Sequence, residues 1–315
     1  MSRLRLGILL TCLSTTAISG AYGGVRSVKG QLLLIDENRR AFPLLAPFPG
    51  ELTVSFYSLR ADSTRIPCAS AIVSNATLQI AACEIPEMCA ADNPLIAELQ
   101  IVPEVGWEQE PRPTALVNCK GDCSFELQVV RPRKPTGKLS SANFDRGAAL
   151  IAKKDVEPAL FYLTEAAYGG LSFATAGANL LEKAGRQRES YKVLAAIDDA
   201  SLEPASDRVA FQVLMRKANA ARAADDVGGA VDAYANAQQI FPKNRQALSL
   251  AFTTIKQAAG SEDVQDIASY LERNQPVGIA FEKLCTNSMI CPKNPKVASD
   301  YATQVKGIKA GVTSF

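Results

Sequence analysis

The sequence predicts a two-part protein of the β plus all-α class, with an N-terminal antiparallel β-sandwich followed by a solenoid of helical repeats. Three observations support this prediction. Short runs that alternate between apolar and polar residues fill the first part of the chain, as in strands with one buried face. A basic segment containing proline and glycine follows at 131–139. Beyond it, Ala, Leu, Glu and Lys favour helices, and small residues recur at regular intervals.

The first 21 residues have the layout of a cleaved signal peptide. Arg3 and Arg5 give a positive start, an apolar run extends from Leu6 to Leu13, and small residues precede a cleavage point after Ala21. The apolar run is much shorter than the ~20 residues that a membrane-spanning helix needs. We therefore expect an exported chain, periplasmic or secreted, that does not span a membrane after cleavage. The alternative is that the segment is an uncleaved membrane anchor.

The charge balance and the absence of histidine exclude several classes of function. The chain has 34 Lys and Arg and 32 Asp and Glu, and the signal peptide contains two arginines and no acid, so the mature chain is formally neutral. Because affinity for nucleic acid depends on neutralising phosphates, we expect no nucleic-acid partner. Without histidine, Ser-His-Asp and Cys-His catalysis and histidine-ligated zinc or haem are excluded. Catalysis by carboxylate pairs or by a Ser-Lys arrangement is not excluded, but the sequence contains no motif for either. We expect a non-catalytic protein with no cofactor and no metal.

Residues 22–130 are expected to form the β domain. Its two clearest runs each place three apolar residues on one face: Leu52, Val54 and Phe56 in the first, and Phe125, Leu127 and Val129 in the second. Further runs lie at 28–35, 76–82 and 95–102, and turn-forming residues separate them. About seven short strands in roughly a hundred residues favour an antiparallel sandwich. The basic linker at 131–139 is interpreted as a solvated hinge.

The clearest helical repeat begins at Phe211. Counted from there, small residues stand at positions eight, twenty and twenty-seven, an aromatic at twenty-four and a proline at thirty-two: Ala218, Ala230, Ala237, Tyr234 and Pro242. Small residues let two helices approach closely, and proline ends the second helix because it cannot continue the hydrogen-bond ladder. The pattern resembles a tetratricopeptide repeat, which implies a pair of helices, A and B, packed together.

The same spacing recurs elsewhere, so we predict repeats over 140–275. Further copies begin at Ser140, Leu171 and Arg245. The copy at Arg245 is degenerate, because Phe252 occupies a small-residue position, and it resembles a capping unit. An ordinary helical bundle with an accidental match is the alternative. Residues 276–315 are expected to contain a disulfide loop and a C-terminal capping helix.

The family resemblance also implies a groove for a partner. In tetratricopeptide proteins, positions two, five, nine, twelve and thirteen of helix A line the concave face. Carried over, they give the candidate groove residues Asn179, Lys183, Gln212, Met215, Asn219, Arg222, Thr253 and Lys256. Asn179 and Asn219 share position nine, where peptide-binding members use asparagine to bond the ligand backbone, and both are expected to matter little for folding. A clamp for a C-terminal carboxylate needs lysine at position five, where Thr175 and Met215 stand. A solvated face without a ligand is the alternative.

The chain contains eight cysteines, of which Cys12 lies in the signal peptide. Disulfides are expected in an exported chain. The spacing favours three short-range pairs: Cys285 with Cys291, Cys119 with Cys123, and Cys83 with Cys89. Cys68 is then left over, and other pairings such as Cys68 with Cys83 stay open. The spacing matches no zinc site.

Two functions are compatible with this sequence. The leading hypothesis is a non-catalytic adaptor or scaffold of the cell envelope or extracellular space, which binds a protein partner through its repeats. The alternative is a carbohydrate- or cell-wall-associated binding module that uses the β domain, with Trp107 stacking on sugar.

Overall fold

The structure is a computed structural model that describes residues 25–86, 89, 94–100, 107, 113–119, 123–198, 202–203, 205–288 and 300–313. The predicted signal peptide at 1–21 lies outside these residues. The chain divides into two compact units, unit 1 at Met1–Tyr162 and unit 2 at Leu163–Phe315. The architecture is β in the N-terminal part and α in the C-terminal part. No helix in the described part is long and apolar enough to cross a membrane.

Unit 1 contains one seven-stranded sheet, curved into a half-barrel, with the strand order β6-β5-β2-β3-β4-β1-β7. The strands are β1 (Val25–Ile35), β2 (Leu52–Leu59), β3 (Arg65–Val73), β4 (Gln79–Pro86), β5 (Leu95–Gln100), β6 (Thr114–Leu116) and β7 (Cys123–Val130). The β1/β7 pair is parallel, and the other pairs between described strands are antiparallel.

Two features of the expected sandwich therefore differ in the structure. The all-antiparallel prediction is wrong for β1 and β7, and the expected separation into two sheets is not confirmed. The physical reason is that alternation determines which face of a strand is buried, but it carries no information about the neighbouring strand or its direction. The alternation itself is confirmed, since inward residues of β2 and β7 are buried and the residues between them are not.

The two buried faces meet inside the half-barrel. The rings of Phe56 and Phe125 pack edge to face with centroids 5.5 Å apart. Gly30 lies opposite Phe125 in the β1/β7 pair, beside a bulge in β1. A β-carbon at Gly30 would lie 2.5 Å from the Phe125 ring, which is too close. Only glycine, which has no side chain, leaves room for the ring here.

The first helices begin in unit 1. Helix α1 (Gly137–Ala152) starts at Thr136, whose hydroxyl accepts a hydrogen bond from the Leu139 amide, as a helix cap does. Helix α2 (Val156–Ala167) follows, and its first two turns still belong to unit 1. There the ring of Phe161 packs 5.2 Å from that of Phe48. The internal contacts of the chain divide it after Tyr162, whereas the sequence suggested a boundary at 131–139.

The basic linker is not a solvated hinge at its start. Arg131 is only 1% exposed, and its guanidinium lies 4.3 Å from the centre of the Phe42 ring and 5.4 Å from that of Trp107. Arg133 forms an ion pair with the buried Asp36 at 3.3 Å. The sequence interpretation is wrong for Arg131, because aromatic faces from the β domain pack on its guanidinium. Arg133 remains exposed, as the interpretation expects.

Unit 2 contains the remaining helices. They are α3 (Leu171–Lys183), α4 (Gln187–Ala195), α5 (Asp207–Ala223), α6 (Val227–Ile240), α7 (Arg245–Ala259), α8 (Val264–Arg273), α9 (Gln275–Ser288) and α10 (Tyr301–Thr313). The predicted repeat starts at Leu171 and Arg245 coincide with the first residues of α3 and α7. Helix α5 begins at Asp207, before the predicted start at Phe211.

The residues expected between helices A and B are buried. In the repeat that begins at Phe211, the third along the chain, the small and aromatic positions are fully buried: Ala218, Ala230, Tyr234 and Ala237. The second repeat, which begins at Leu171, buries the equivalent positions: Ala178, Ser190, Leu194 and Ile197. Helix α6 also packs on α9, as extensively as on its own partner α5. Lys283 of α9 contacts Asp232 at 2.8 Å, and the Asn287 amide donates to the Ala235 carbonyl at 2.8 Å.

Two disulfides join described cysteines. Cys119 pairs with Cys123, as the spacing predicted, with Cα atoms 4.0 Å apart. Cys89 pairs with Cys68 instead of the predicted Cys83, with Cα atoms 6.1 Å apart. The register of β3 skips Cys68, which makes it the extra residue of a bulge, and a bulge redirects a side chain. Cys83 and Cys285 are also disulfide-bonded, and Cys291, the predicted partner of Cys285, lies outside the described residues.

Candidate partner-binding site

The predicted groove residues lie on helices α3, α5 and α7. Those that remain exposed are Asn179, Lys183, Gln212, Asn219 and Arg222, and we call these five residues the polar face. Thr253 and Lys256 are half-exposed. Met215 is only 7% exposed and packs in the core of unit 2, so its assignment to the groove is wrong. A long apolar side chain at that position is buried because core packing gains more than contact with water.

An ion pair that the sequence analysis missed ties α3 to α5. The guanidinium of Arg216 contacts both carboxylate oxygens of Glu182, at 2.8 and 3.0 Å, and also donates to the Thr175 carbonyl at 3.3 Å. Two parallel hydrogen bonds between arginine and a carboxylate hold a defined geometry. Arg216 and Glu182 are 34 residues apart, which is the period of a tetratricopeptide repeat. In the sequence, the signal for this ion pair was an acidic and a basic residue, Glu182 and Arg216, separated by one repeat period.

Asn219 is held by the buried aromatic of its own repeat. The Tyr234 hydroxyl donates a hydrogen bond of 2.7 Å to the Asn219 amide oxygen. Burial raises the pKa of Tyr234, while the nearby Arg222 lowers it in part. This contact fixes the orientation of the Asn219 amide, whose NH2 group is a donor.

The two position-nine asparagines are therefore not equivalent. In the second repeat the position that Tyr234 occupies in the third is filled by Leu194, which has no hydroxyl. Asn179 consequently lacks the anchor that Asn219 has. The expectation that both residues matter little for folding is not compatible with the Tyr234 contact at Asn219.

Helix α4 clamps the turn between α5 and α6, next to the end of the polar face. The Tyr191 hydroxyl donates to the Asp226 carboxylate at 2.6 Å, and Arg188 pairs with Asp225 at 2.7 Å. Burial and the Asp226 contact raise the pKa of Tyr191. Gly229 packs so closely here that a β-carbon would overlap the Tyr191 hydroxyl. These contacts hold the turn against the preceding repeat.

The charge of the polar face is positive. Lys183 and Arg222 form no ion pair with any residue that the structure describes. Glu182 is neutralised by Arg216. Lys256 is neutralised by Glu262 at 2.7 Å, and Lys256 lowers the pKa of that carboxyl. The described residues contain no group of three or more Cys, Asp or Glu that could hold a metal ion.

Trp107, the candidate sugar-stacking residue, is not at the surface. It is 4% exposed and lies against Phe48 at 5.4 Å and Phe161 at 5.9 Å between ring centroids. Arg131 lies 5.4 Å from its ring. A sugar needs an open ring face for stacking, so the proposed role of Trp107 is wrong.

Comparisons of the chain with protein-family models, with curated proteins and with solved structures find no match. The resemblance to tetratricopeptide repeats therefore depends on the residues of this chain alone.

Proposed function

We propose that this chain is a non-catalytic adaptor that binds a segment of a partner protein on the polar face of a tetratricopeptide-like solenoid. One observation carries the proposal. Successive helix pairs bury their small and aromatic residues between the helices and leave polar side chains exposed on helix A. Repeat stacks that divide their residues in this way have a large surface for binding.

Two contacts favour binding over a merely solvated face. The Arg216–Glu182 ion pair fixes α3 against α5, and Tyr234 fixes the amide of Asn219. Groups that are already ordered lose less entropy when a partner binds, so affinity increases without new contacts.

The proposal places the adaptor outside the cytoplasm, in the periplasm or as a secreted protein. The signal-peptide layout of residues 1–21 supports export. The two disulfides between described cysteines are typical of an oxidising compartment. The carbohydrate-binding alternative loses its main support, because Trp107 is buried.

Affinity capture with a charge-reversed control tests this function. The mature chain and a Lys183→Glu/Arg222→Glu double variant are each used to capture proteins from the extracytoplasmic fraction of the source cells, and mass spectrometry identifies them. We expect a partner that the wild type retains and the double variant loses. A Lys306→Glu variant, which changes an exposed lysine on α10, should keep it. Equal capture by all three chains would contradict the polar face as the binding site.

A further inference from the structure

A cavity of about 640 Å³ crosses the exposed face of the sheet from β4 to β6. Residues of β4, β1 and β7 line it, and Leu116 of β6 lines its far end. Its polar lining residues are exposed and alternate along the strands with less exposed ones, so they belong to the outward face of the sheet. Gly30, Ile80 and Phe125 complete the lining between them.

Strand pairing places the polar side chains of this cavity in two rows. In the first row, Gln79, Gln31 and Glu126 lie directly opposite one another on three adjacent strands. In the second row, Lys29 lies opposite Ser124. Adjacent strands are about 4.8 Å apart, so the first row is roughly 10 Å long. The cavity therefore presents a two-dimensional array of polar groups rather than a single line.

The array contains both hydrogen-bond donors and acceptors. Each glutamine amide supplies an NH2 donor and a carbonyl acceptor, the Glu126 carboxylate accepts, and the Lys29 ammonium donates. The Gln31 amide donates to Glu126 at 3.2 Å. The side chain of Gln79 has no hydrogen bond to a described residue, and Lys29 forms no ion pair with one. Groups of both kinds are therefore open to a ligand.

We propose that this cavity binds a neutral oligosaccharide. Every sugar hydroxyl is both a donor and an acceptor, so it pairs well with amides that are also both. Lys29 and Glu126 balance each other, and a lining without net charge favours an uncharged ligand. Sugar hydroxyls surround a ring, which suits a two-dimensional array. Leu116, which is 71% exposed, provides an apolar surface for the C–H face of a sugar.

A peptide fits this cavity less well. The polar groups of a peptide lie in a line along its backbone, and the open edge of a strand binds them best. β1, at the centre of the cavity, is paired with β4 on one side and with β7 on the other. Its backbone groups are therefore already used in the sheet. The cavity belongs to unit 1, does not use Trp107, and adds a second ligand to the one proposed for the polar face of unit 2.

Saturation-transfer NMR on the full chain tests the proposal. The probes are three neutral sugars, namely cellohexaose, maltohexaose and chitohexaose, and a capped peptide of alternating glycine and serine. We expect at least one sugar to receive saturation from the protein and to bind more tightly than the peptide. Its dissociation constant should change little between low and high salt, because no net charge attracts it.

Alanine variants locate the binding to the first row. Gln79→Ala and Gln31→Ala each remove an amide from the cavity, and each should weaken sugar binding about two- to tenfold. The matched control is Gln128→Ala, which removes an exposed amide from the outward face of β7 outside the cavity and should bind like wild type. All three residues are exposed, so the thermal melts should coincide. If Gln31→Ala is destabilised by the loss of its bond to Glu126, Gln79→Ala still decides.

Any of four results would overturn the proposal. The first is no saturation of any of the three sugars. The second is equal sugar affinity in Gln79→Ala and Gln128→Ala, which would place the binding elsewhere. The third is tighter binding of the peptide than of every sugar. The fourth is a steep loss of affinity with salt, because the ligand would then be recognised by charge.

Discussion

The sheet of unit 1 and the helix pairs of unit 2 build their cores over different distances along the chain. In the sheet, β1 pairs with β7, and Gln31 hydrogen-bonds to Glu126, 95 residues away. In the third repeat, Tyr234 bonds Asn219, which is 15 residues away, and α5 packs directly on α6. The difference shows why a repeating local pattern is enough to place a helix pair, whereas it is not enough to place a strand.

Overpacking the third repeat should give the largest effect. Ala230→Leu adds three carbon atoms where α5 and α6 meet, and Ala230 is fully buried. Overpacking of this kind costs about 3 kcal/mol at its upper range. We expect helical circular dichroism to show earlier unfolding of unit 2, while Trp107 fluorescence, which reports unit 1, changes little. Ala223→Leu, on the exposed end of α5, is the matched control. Equal melts for both variants would mean that α5 and α6 do not meet at Ala230.

A variant of the buried Arg131 provides the corresponding stability test for unit 1. Arg131→Met keeps an apolar stem but removes the charge that contacts Phe42 and Trp107 and the hydrogen bond to the Pro43 carbonyl. A desolvated cation–π contact is worth about 2 kcal/mol, so the free energy of unfolding of unit 1 should fall by that amount. Urea titration followed by Trp107 fluorescence measures it. Lys134→Met, in the same segment but exposed, should change little. A small, equal effect in both would favour the solvated hinge.

The two asparagines provide an internal comparison within unit 2. Asn219→Ala leaves the Tyr234 hydroxyl without its acceptor and should lower the stability of unit 2 by about 1 kcal/mol. Asn179→Ala should leave stability unchanged, because no tyrosine is bonded to it. Adding Tyr234→Phe to Asn219→Ala should recover part of the loss, because the unpaired hydroxyl is then removed. Additive losses in the double variant would mean that the hydrogen bond contributes nothing.

The smallest effect concerns acid stability of unit 1. The backbone amide of Arg40 lowers the pKa of Asp36 most, burial opposes it, and the Asn38 amide and Arg133 lower it further. Because the folded pKa is below the ordinary value, the stabilisation is present above that value and is lost as the pH falls through the folded pKa. Asp36→Asn should therefore melt earlier than wild type at neutral pH, and the two melts should converge in strong acid. A constant gap down to pH 2 would contradict this.

Much of the local structure could be predicted from the sequence, and the long-range structure could not. The buried faces of β2 and β7 follow from alternation, and the buried positions of the repeats follow from small-residue spacing. The partner of β7 could not be predicted, because β1 is just as apolar as the other strands. The disulfide of Cys89 was assigned by proximity in sequence, whereas a bulge at Cys68 decides it.

The candidate site shows the same limit. Exposed residues such as Asn179 and Arg222 were located by their repeat positions. Met215 was misplaced because a position number cannot tell whether a flexible apolar side chain turns inward. The hydrogen bond between Tyr234 and Asn219 depends on how closely α5 and α6 approach each other. The residue pattern does not give that distance, so the bond could not be predicted.

The parallel pairing of β1 with β7 also has a consequence in time. Ribosomes add roughly 5–20 residues per second, so the partner of Gln31, 95 residues later, is made about 5–20 seconds after it. Until then β1 lacks its neighbour on one side, and Gly30 awaits the ring of Phe125. The sheet of unit 1 is therefore completed by its last strand, while a helix pair such as α5 and α6 is complete within a few seconds of its first residue.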